Sequence, residues 1–357
     1  MQTRKIAVLL VEDSVTTRLF LTHLLESDPQ IQVIGAVRDG QAALDFVRET
    51  QPDVVVMDIH MPRLDGFEAT RLMMESHPVP IIICSATANI KDTVVTFRAM
   101  EAGAIACVEK PASREDRNLE DTSATLLQTV KLMSEVKVVR RYPRLRPAPN
   151  VPAQTTPRAA EFRLIGIGAS TGGPPVLQTI LGSLPKDFAT PILVVQHIAR
   201  GFVAGMAEWL NHTTALQIHI ASHGTYPQPG HVYLAPDDFH MGVGNGGAIV
   251  LSREPPHDHL RPAVSFLFRS LAETCGANAL GVLLTGMGRD GAEELKAMKD
   301  RGAITIAQDK ESSAVHGMPG AAIELGGATH VLPPERIAQT IITLVNQRTR
   351  DARGLRT

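Results

Sequence analysis

The chain has 357 residues, of which 44% are hydrophobic and 20% charged, with a formal net charge of -2. At about 100 to 200 residues per domain this length predicts two domains, and the ordinary composition excludes a disordered or collagen-like chain. The near-neutral charge excludes a broad footprint for nucleic acid or an anionic membrane, and three sparse cysteines (Cys84, Cys107, Cys275), no leader-like apolar start and no apolar run near ~20 residues predict a cytoplasmic protein without direct membrane insertion.

Five β-branched runs come first: Ile6 to Val11, Gln32 to Val37, Val54 to Met57, Ile81 to Cys84 and Ile105 to Val108. Amphipathic stretches separate them, which predicts a parallel sheet with helices on both faces. Ligands then sit at the carboxyl ends of the strands. Glu12 and Asp13 follow the first strand and Asp58 ends the third, so three carboxylates converge on one edge. Such a cluster needs a cation between its members, and an oxygen-rich site with open positions favours Mg²⁺. Asp58 is the natural nucleophile, while Ser85 and Lys110, ending the fourth and fifth strands, bring a hydroxyl and an ammonium suited to the oxygens of an acyl phosphate.

Any one of these acids alone is explained as a helix cap; the set is not. With Met61-Pro62-Arg63-Leu64-Asp65-Gly66 after Asp58, and Lys110-Pro111, it resembles the receiver domain of bacterial response regulators over residues 5 to 135. The resemblance implies a flavodoxin-like fold with Asp58 as phosphoacceptor, Glu12, Asp13 and Asp58 serving Mg²⁺, and Ser85 and Lys110 sensing the phosphoryl group. It also implies a histidine kinase as phosphodonor. Cys107 stands where many receivers carry an aromatic switch residue.

Residues 137 to 160 hold five prolines, five arginines and one lysine without an acid, which predicts an extended linker. The receiver is accordingly placed at 1 to 136 and a second domain at 161 to 347, with a basic tail at 348 to 357 carrying Arg348, Arg350, Arg353 and Arg356. In the second domain strands are predicted at Leu164 to Gly168, Ile192 to Gln196, Val232 to Ala235, Ala248 to Leu251, Ala279 to Leu284, Ile304 to Ala307 and His330 to Leu332. Helices start near Gly173, Gly201, Ala263, Asp290 and Pro334. This is a doubly wound, mainly parallel α/β domain.

Ile165 to Pro174 reads IGIGASTGGP, a strand entering a glycine turn and a helix. Such a turn either cradles a dinucleotide pyrophosphate or exposes Ser170 as a nucleophile beside free backbone N–H groups. The dinucleotide reading needs an acid ~20 residues on, at the end of the next strand. That strand ends instead in Gln196-His197. His197 suits a general base for Ser170, and a base of this kind needs a carboxylate to orient it. The second glycine turn, Thr285-Gly286-Met287-Gly288-Arg289-Asp290-Gly291, delivers Asp290 to the same edge. The order Ser, His, Asp differs from the Ser, Asp, His of the α/β-hydrolase fold, so the GASTG match points to convergent chemistry on another scaffold. Asp237 and Asp238 are rival orienters that a turn explains equally well. His257-Asp258-His259 lacks metal-ligand spacing and reads as a surface loop.

IGIGASTGGP, VVQH, YLAP and LLTGMGRDG together resemble the catalytic domain of the bacterial chemotaxis protein-glutamate methylesterases, over residues 162 to 346. The resemblance implies a cofactor-free serine esterase that demethylates glutamates, and deamidates glutamines, on the cytoplasmic helices of chemoreceptors. It aligns Ser170, His197 and Asp290 with the triad, and it implies that the unphosphorylated receiver restrains the esterase. Backbone N–H groups near Thr171 and Met287 are candidates for stabilising an oxyanion. Leu260-Arg261-Pro262-Ala263-Val264-Ser265 lacks the serine and aspartate of the family's pattern after the proline; the loop is distant from the triad in sequence, so the departure bears on receptor specificity more than on chemistry. A DNA-binding output would need a helical reader with a basic face, which residues 160 to 347 lack. A catalytically idle adaptor would have no use for the three triad residues.

Overall fold

The computed structural model describes residues 4–85, 90–111, 119–136 and 163–354. The predicted linker lies outside them, as does the last part of the basic tail. The chain forms two compact units, Met1–Asn150 and Val151–Thr357.

The N-terminal unit alternates strand and helix: β1 Ile6–Val11, α1 Val15–Glu26, β2 Ile31–Val37, α2 Gly40–Glu49, β3 Val54–Met57, α3 Gly66–Ser76, β4 Ile81–Ser85, α4 Ile90–Ala102, β5 Ala106–Glu109 and α5 Leu119–Met133. The sheet order is β2-β1-β3-β4-β5, with every neighbouring pair parallel. Val8, Leu9, Val54 to Met57 and Ile81 to Ile83 are all fully buried, as a sheet covered on both faces requires. Helix starts are set by short acids: Asp39 accepts the Ala42 N–H and Asp65 the Glu68 N–H, satisfying donors that the first turn leaves without a partner.

The C-terminal unit contains β6 Leu164–Ala169, α6 Gly173–Gly182, β7 Ile192–Gln196, α7 Val203–Thr213, β8 Gln217–Ile220, β9 His231–Leu234, β10 His240–Val243, β11 Ile249–Ser252, α8 Val264–Thr274, β12 Ala279–Leu283, α9 Ala292–Asp300, β13 Ile304–Gln308, α10 Met318–Glu324, β14 His330–Leu332 and α11 Pro334–Gly354. Its seven-stranded sheet runs β14-β13-β12-β6-β7-β9-β8, again with parallel neighbours. Chain order reverses at β6: one arm continues to β7 and the other begins with β12. A doubly wound sheet opens its crevice at such a switch point.

Both doubly wound folds agree with the sequence reading, with differences in detail. The strand expected near Ala248 forms an antiparallel pair with β10 outside the large sheet. β8, β10 and α10 were not anticipated. β8 is a four-residue edge strand with two exposed positions, too little apolar periodicity to read. The helix expected at Asp290 begins at Ala292, and α11 runs on to Gly354, so the chain continues helical past residue 348.

Candidate functional site

In the N-terminal unit the carboxyl ends of β1 and β3 are adjacent, and they carry Glu12, Asp13 and Asp58. Carboxylate oxygens of these three lie within 4.8 Å of one another. Lys110, which follows β5, reaches across with Nζ 2.8 Å from Glu12 Oε2 and 2.9 Å from Asp58 Oδ2. Asp58 Oδ1 accepts the Ile59 N–H at 2.8 Å, so the two oxygens of this carboxylate have different duties. Ser85 is buried at the end of β4, and its carbonyl accepts the Lys110 N–H at 2.9 Å. The five residues predicted for this site therefore meet at one sheet edge.

Burial pushes the Glu12 carboxyl above its ordinary range, and the Asp58 charge adds to that; the Lys110 ammonium offsets only part. Burial alone would lower the Lys110 pKa, but the charge of Asp58 and the bonds to both carboxylates prevail and raise it. Three clustered acids facing one ammonium retain an excess of negative charge, and an all-oxygen donor set with that charge fits Mg²⁺. Gly66 explains part of the motif that follows Asp58. A Cβ there would stand 2.1 Å from the Asp58 carbonyl oxygen, so only glycine lets α3 begin against the phosphoacceptor candidate.

The C-terminal unit presents its candidates from three adjacent strands, β12, β6 and β7. The β6–β7 register pairs Ala169 with Gln196, which sets Ser170 and His197 side by side just beyond the strand ends. The His197 N–H also donates to the Ala169 carbonyl at 2.9 Å. His197 Nε2 lies 2.9 Å from Asp290 Oδ2, although an N–H at Nε2 is not aligned as a hydrogen bond. Catalytic contacts are often loosely aligned before substrate is in place. The two glycine turns are tied together: the Ser170 N–H donates to the Thr285 carbonyl at 3.0 Å and Thr285 Oγ1 to the Thr171 carbonyl at 2.9 Å. Met287, in the second turn, is exposed beside them.

The loop at Leu260 to Ser265 is a correction to the sequence reading. Far from Ser170, His197 and Asp290 in sequence, it meets Asp290 in space: the Val264 N–H donates to Asp290 Oδ2 at 2.6 Å and the Ser265 N–H to Oδ1 at 2.9 Å. These are the first residues of α8, whose own cap position is Ala263 and offers no side-chain acceptor. Asp290 thus caps α8 from a distant part of the chain. Burial raises its pKa, but the His197 imidazole and the Ser265 N–H outweigh this and hold the carboxyl below its ordinary range. Ala263 supplies no side-chain cap, so the first N–H groups of α8 take their acceptor from elsewhere in the chain.

The rival acids are engaged otherwise. Asp237 accepts the Gly201 N–H at 2.9 Å and Asp238 pairs with Arg200, so both brace the loop after β7. In the predicted surface loop, His257 Nδ1 lies 3.3 Å from Ser265 Oγ. No helix among the described residues is long and apolar enough to cross a membrane.

Residues 8–119 match the response regulator receiver domain family and residues 165–341 the CheB methylesterase family. A protein-glutamate methylesterase/protein-glutamine glutaminase of Nitrosospira multiformis is 51% identical over 96% of this chain and 98% of its own length. A second protein of that name, from Geobacter metallireducens, is also 51% identical, over 96% of this chain and all of its own length (100%). The catalytic domain of the Thermotoga maritima CheB methylesterase, a solved structure, superposes with a TM-score of 0.50 at 41% identity, covering 51% of this chain and 98% of that one. The chain belongs to the protein-glutamate methylesterase/protein-glutamine glutaminase family, with a response-regulator receiver domain preceding the methylesterase domain.

Proposed function

We propose that this chain hydrolyses glutamate γ-methyl esters, and deamidates glutamines, on the cytoplasmic helices of chemoreceptors, with Ser170, His197 and Asp290 as its triad and phosphorylation of Asp58 as its control. The observation that carries the reading is the convergence of the three residues from adjacent strand ends, with His197 2.9 Å from a buried Asp290. With Nε2 turned toward Asp290, Nδ1 of His197 is left to take the Ser170 hydroxyl proton. Ser170 Oγ then bonds to the γ-carbonyl carbon, the C–OCH₃ or C–NH₂ bond breaks, and the proton passes to the leaving methanol or ammonia. Water repeats the sequence on the glutamyl-serine ester and restores the hydroxyl. The N–H groups at Thr171 and Met287 are the candidates for receiving the developing oxyanion, a contribution of about 3 to 4 kcal/mol for a single donor. Asp290, held ionised by the start of α8, stabilises the imidazolium.

In the receiver, Asp58 Oδ2 forms the new P–O bond as the phosphohistidine P–N bond of a histidine kinase breaks. Lys110, already at that oxygen, pairs with the incoming phosphoryl group, and the Ser85 hydroxyl serves another of its oxygens. Glu12, Asp13 and Asp58 are the residues that would hold Mg²⁺, which when bound neutralises charge on the transferred group. The domains are placed at 1 to 136 and 161 to 347, and the site of action in the cytoplasm.

Methanol release from methylated chemoreceptor membranes, with and without a small-molecule phosphodonor and Mg²⁺, tests both halves. Release that requires Ser170 and rises with phosphodonor is the expected result. No release from the wild type under either condition would replace the enzyme reading with that of a receptor-binding adaptor.

A further inference from the structure

The Ser170 carbonyl is gripped from two sides. It accepts the Gly173 N–H at 2.8 Å and a hydrogen bond from the Gln196 side-chain Nε2 at 2.8 Å. The same Nε2 donates to the His197 carbonyl, also at 2.8 Å. One amide, only 8% exposed, therefore joins the backbone of the serine to that of the histidine. A trans peptide is planar, and its C=O and N–H point in opposite directions. Fixing the Ser170 carbonyl thus also fixes the direction of the Thr171 N–H, on the side of the peptide plane facing away from Gln196. The second turn is built the same way, since the Gly286 carbonyl accepts the Gly317 N–H at 3.0 Å and the Met318 N–H at 2.9 Å, which sets the peptide plane of Met287.

We propose that Gln196 is a positioning residue of the hydrolytic site: its amide aims the Thr171 N–H at the oxyanion and keeps the backbone of His197 in step with Ser170. This rests on the reading of Ser170 and His197 given above. Gln196 uses one end of its amide only; Oε1 has no hydrogen-bond partner among the described residues. That oxygen lies where a Cβ on Gly173 would meet it at 2.2 Å. Gly173 consequently offers a second handle on the clasp, because a methyl group there pushes the amide without changing its chemistry, although it also meets the Ala169 Cβ at 2.9 Å.

The full-length protein with phosphodonor and Mg²⁺ is assayed for kcat and KM by methanol release from methylated chemoreceptor membranes, with thermal unfolding as a check on folding. Gln196→Met keeps the volume and removes both donors. Its kcat is expected to fall about 10- to 100-fold with KM within about twofold of wild type, the signature of an interaction made in the transition state, where loss of a whole oxyanion donor costs ~10²- to 10³-fold. Gly173→Ala lowers kcat in the same direction. In the Gln196→Ala background it adds much less than in the wild type, since the larger part of its effect passes through the same clasp and only the Ala169 contact remains. A side chain that only fills space predicts wild-type kcat for Gln196→Met, and that result overturns the proposal, as does full additivity of Gly173→Ala with Gln196→Ala. If Gln196→Met fails to fold, an unchanged kcat in Gly173→Ala overturns it instead. Ser170→Ala separates the two levels: activity surviving in Ser170→Ala removes the nucleophile and the clasp together, whereas a dead Ser170→Ala beside a fully active Gln196→Met removes the clasp alone.

Discussion

The Ser265 N–H donates to Asp290 Oδ1 at 2.9 Å, leaving Oδ2 to the Val264 N–H and the His197 imidazole. One carboxylate thereby caps the start of a helix and lies beside an imidazole. The two contacts reinforce each other, because the positive end of α8 favours the ionised form that the imidazolium of the proposed reaction would require. The arrangement also makes Asp290 a structural residue, and its substitutions should show both effects.

Asp290→Asn keeps the shape and removes the charge. Its kcat should drop by about 10³- to 10⁴-fold, as in other triads that lose the orienting carboxylate, while the fold survives because the amide oxygen still accepts one N–H. Asp290→Ala leaves both N–H groups without an acceptor and should lower stability by a further ~1 to 2 kcal/mol. Methanol release and chemical denaturation read the two effects separately; equal stability of the Asn and Ala variants would remove the capping role.

The same carboxylate links activity to acid stability. Its folded pKa lies below the unfolded value, so its contribution to stability is present above that unfolded value, near ~3.9, and is lost as the pH falls through the folded pKa. The stability difference between wild type and Asp290→Asn should therefore be constant near neutrality and shrink only in strong acid. A difference that disappears between pH 8 and pH 6 would assign the effect to another group.

The candidate residues were legible in the sequence because each follows a strand of strongly apolar residues, and a parallel sheet sends all such ends to one edge. Ser170, His197 and Asp290 could be grouped without knowing which strands are neighbours. What the sequence hid was the scaffolding. Gln196 looks like the last residue of a buried strand, and nothing in its type announces that its amide bridges two carbonyls. Val264 and Ser265 act through their N–H groups, which every residue but proline carries. Loop Leu260 to Ser265 is distant from Asp290 in sequence yet meets it in space, because sequence distance says nothing about the return of a doubly wound chain to its switch point. β10, the partner of the expected strand near Ala248, escaped because a four-residue strand offers too short a pattern.

Glu12 behaves oppositely to Asp290. Its folded pKa is raised, so its contribution to stability is complete below the unfolded value, near ~4.3, and is lost as the pH rises through the folded pKa. At neutral pH the ionised group opposes folding. Glu12→Gln should raise the urea midpoint of the N-terminal unit at pH 7 without Mg²⁺, and the gain should vanish in acid below that unfolded value. A lower midpoint at pH 7 would show that the bond from Lys110 outweighs the burial of charge.

Gly66→Ala tests the close approach of α3 to Asp58. The added Cβ would meet the Asp58 carbonyl at 2.1 Å and the Ile59 Cα at 2.9 Å, both backbone atoms that move only with β3. A cost of about 1 to 3 kcal/mol is expected for such overpacking, together with slower phosphorylation of Asp58. Wild-type stability and phosphorylation would mean that α3 can pull away from Asp58 freely.

Asp58→Asn removes the oxygen nucleophile, and its one amide oxygen can keep either the Ile59 N–H contact or the Lys110 contact, each of which the carboxylate makes with a different oxygen. Adding phosphodonor and Mg²⁺ should then leave hydrolysis unchanged, so that the ratio of stimulated to unstimulated rate falls to unity. Control through the receiver requires that ratio to exceed unity in the wild type, since phosphorylation acts only by shifting a pre-existing equilibrium toward the active form. A phosphodonor effect that persists in Asp58→Asn would place the phosphoryl group elsewhere, on a residue that the clustered carboxylates of Glu12 and Asp13 do not serve.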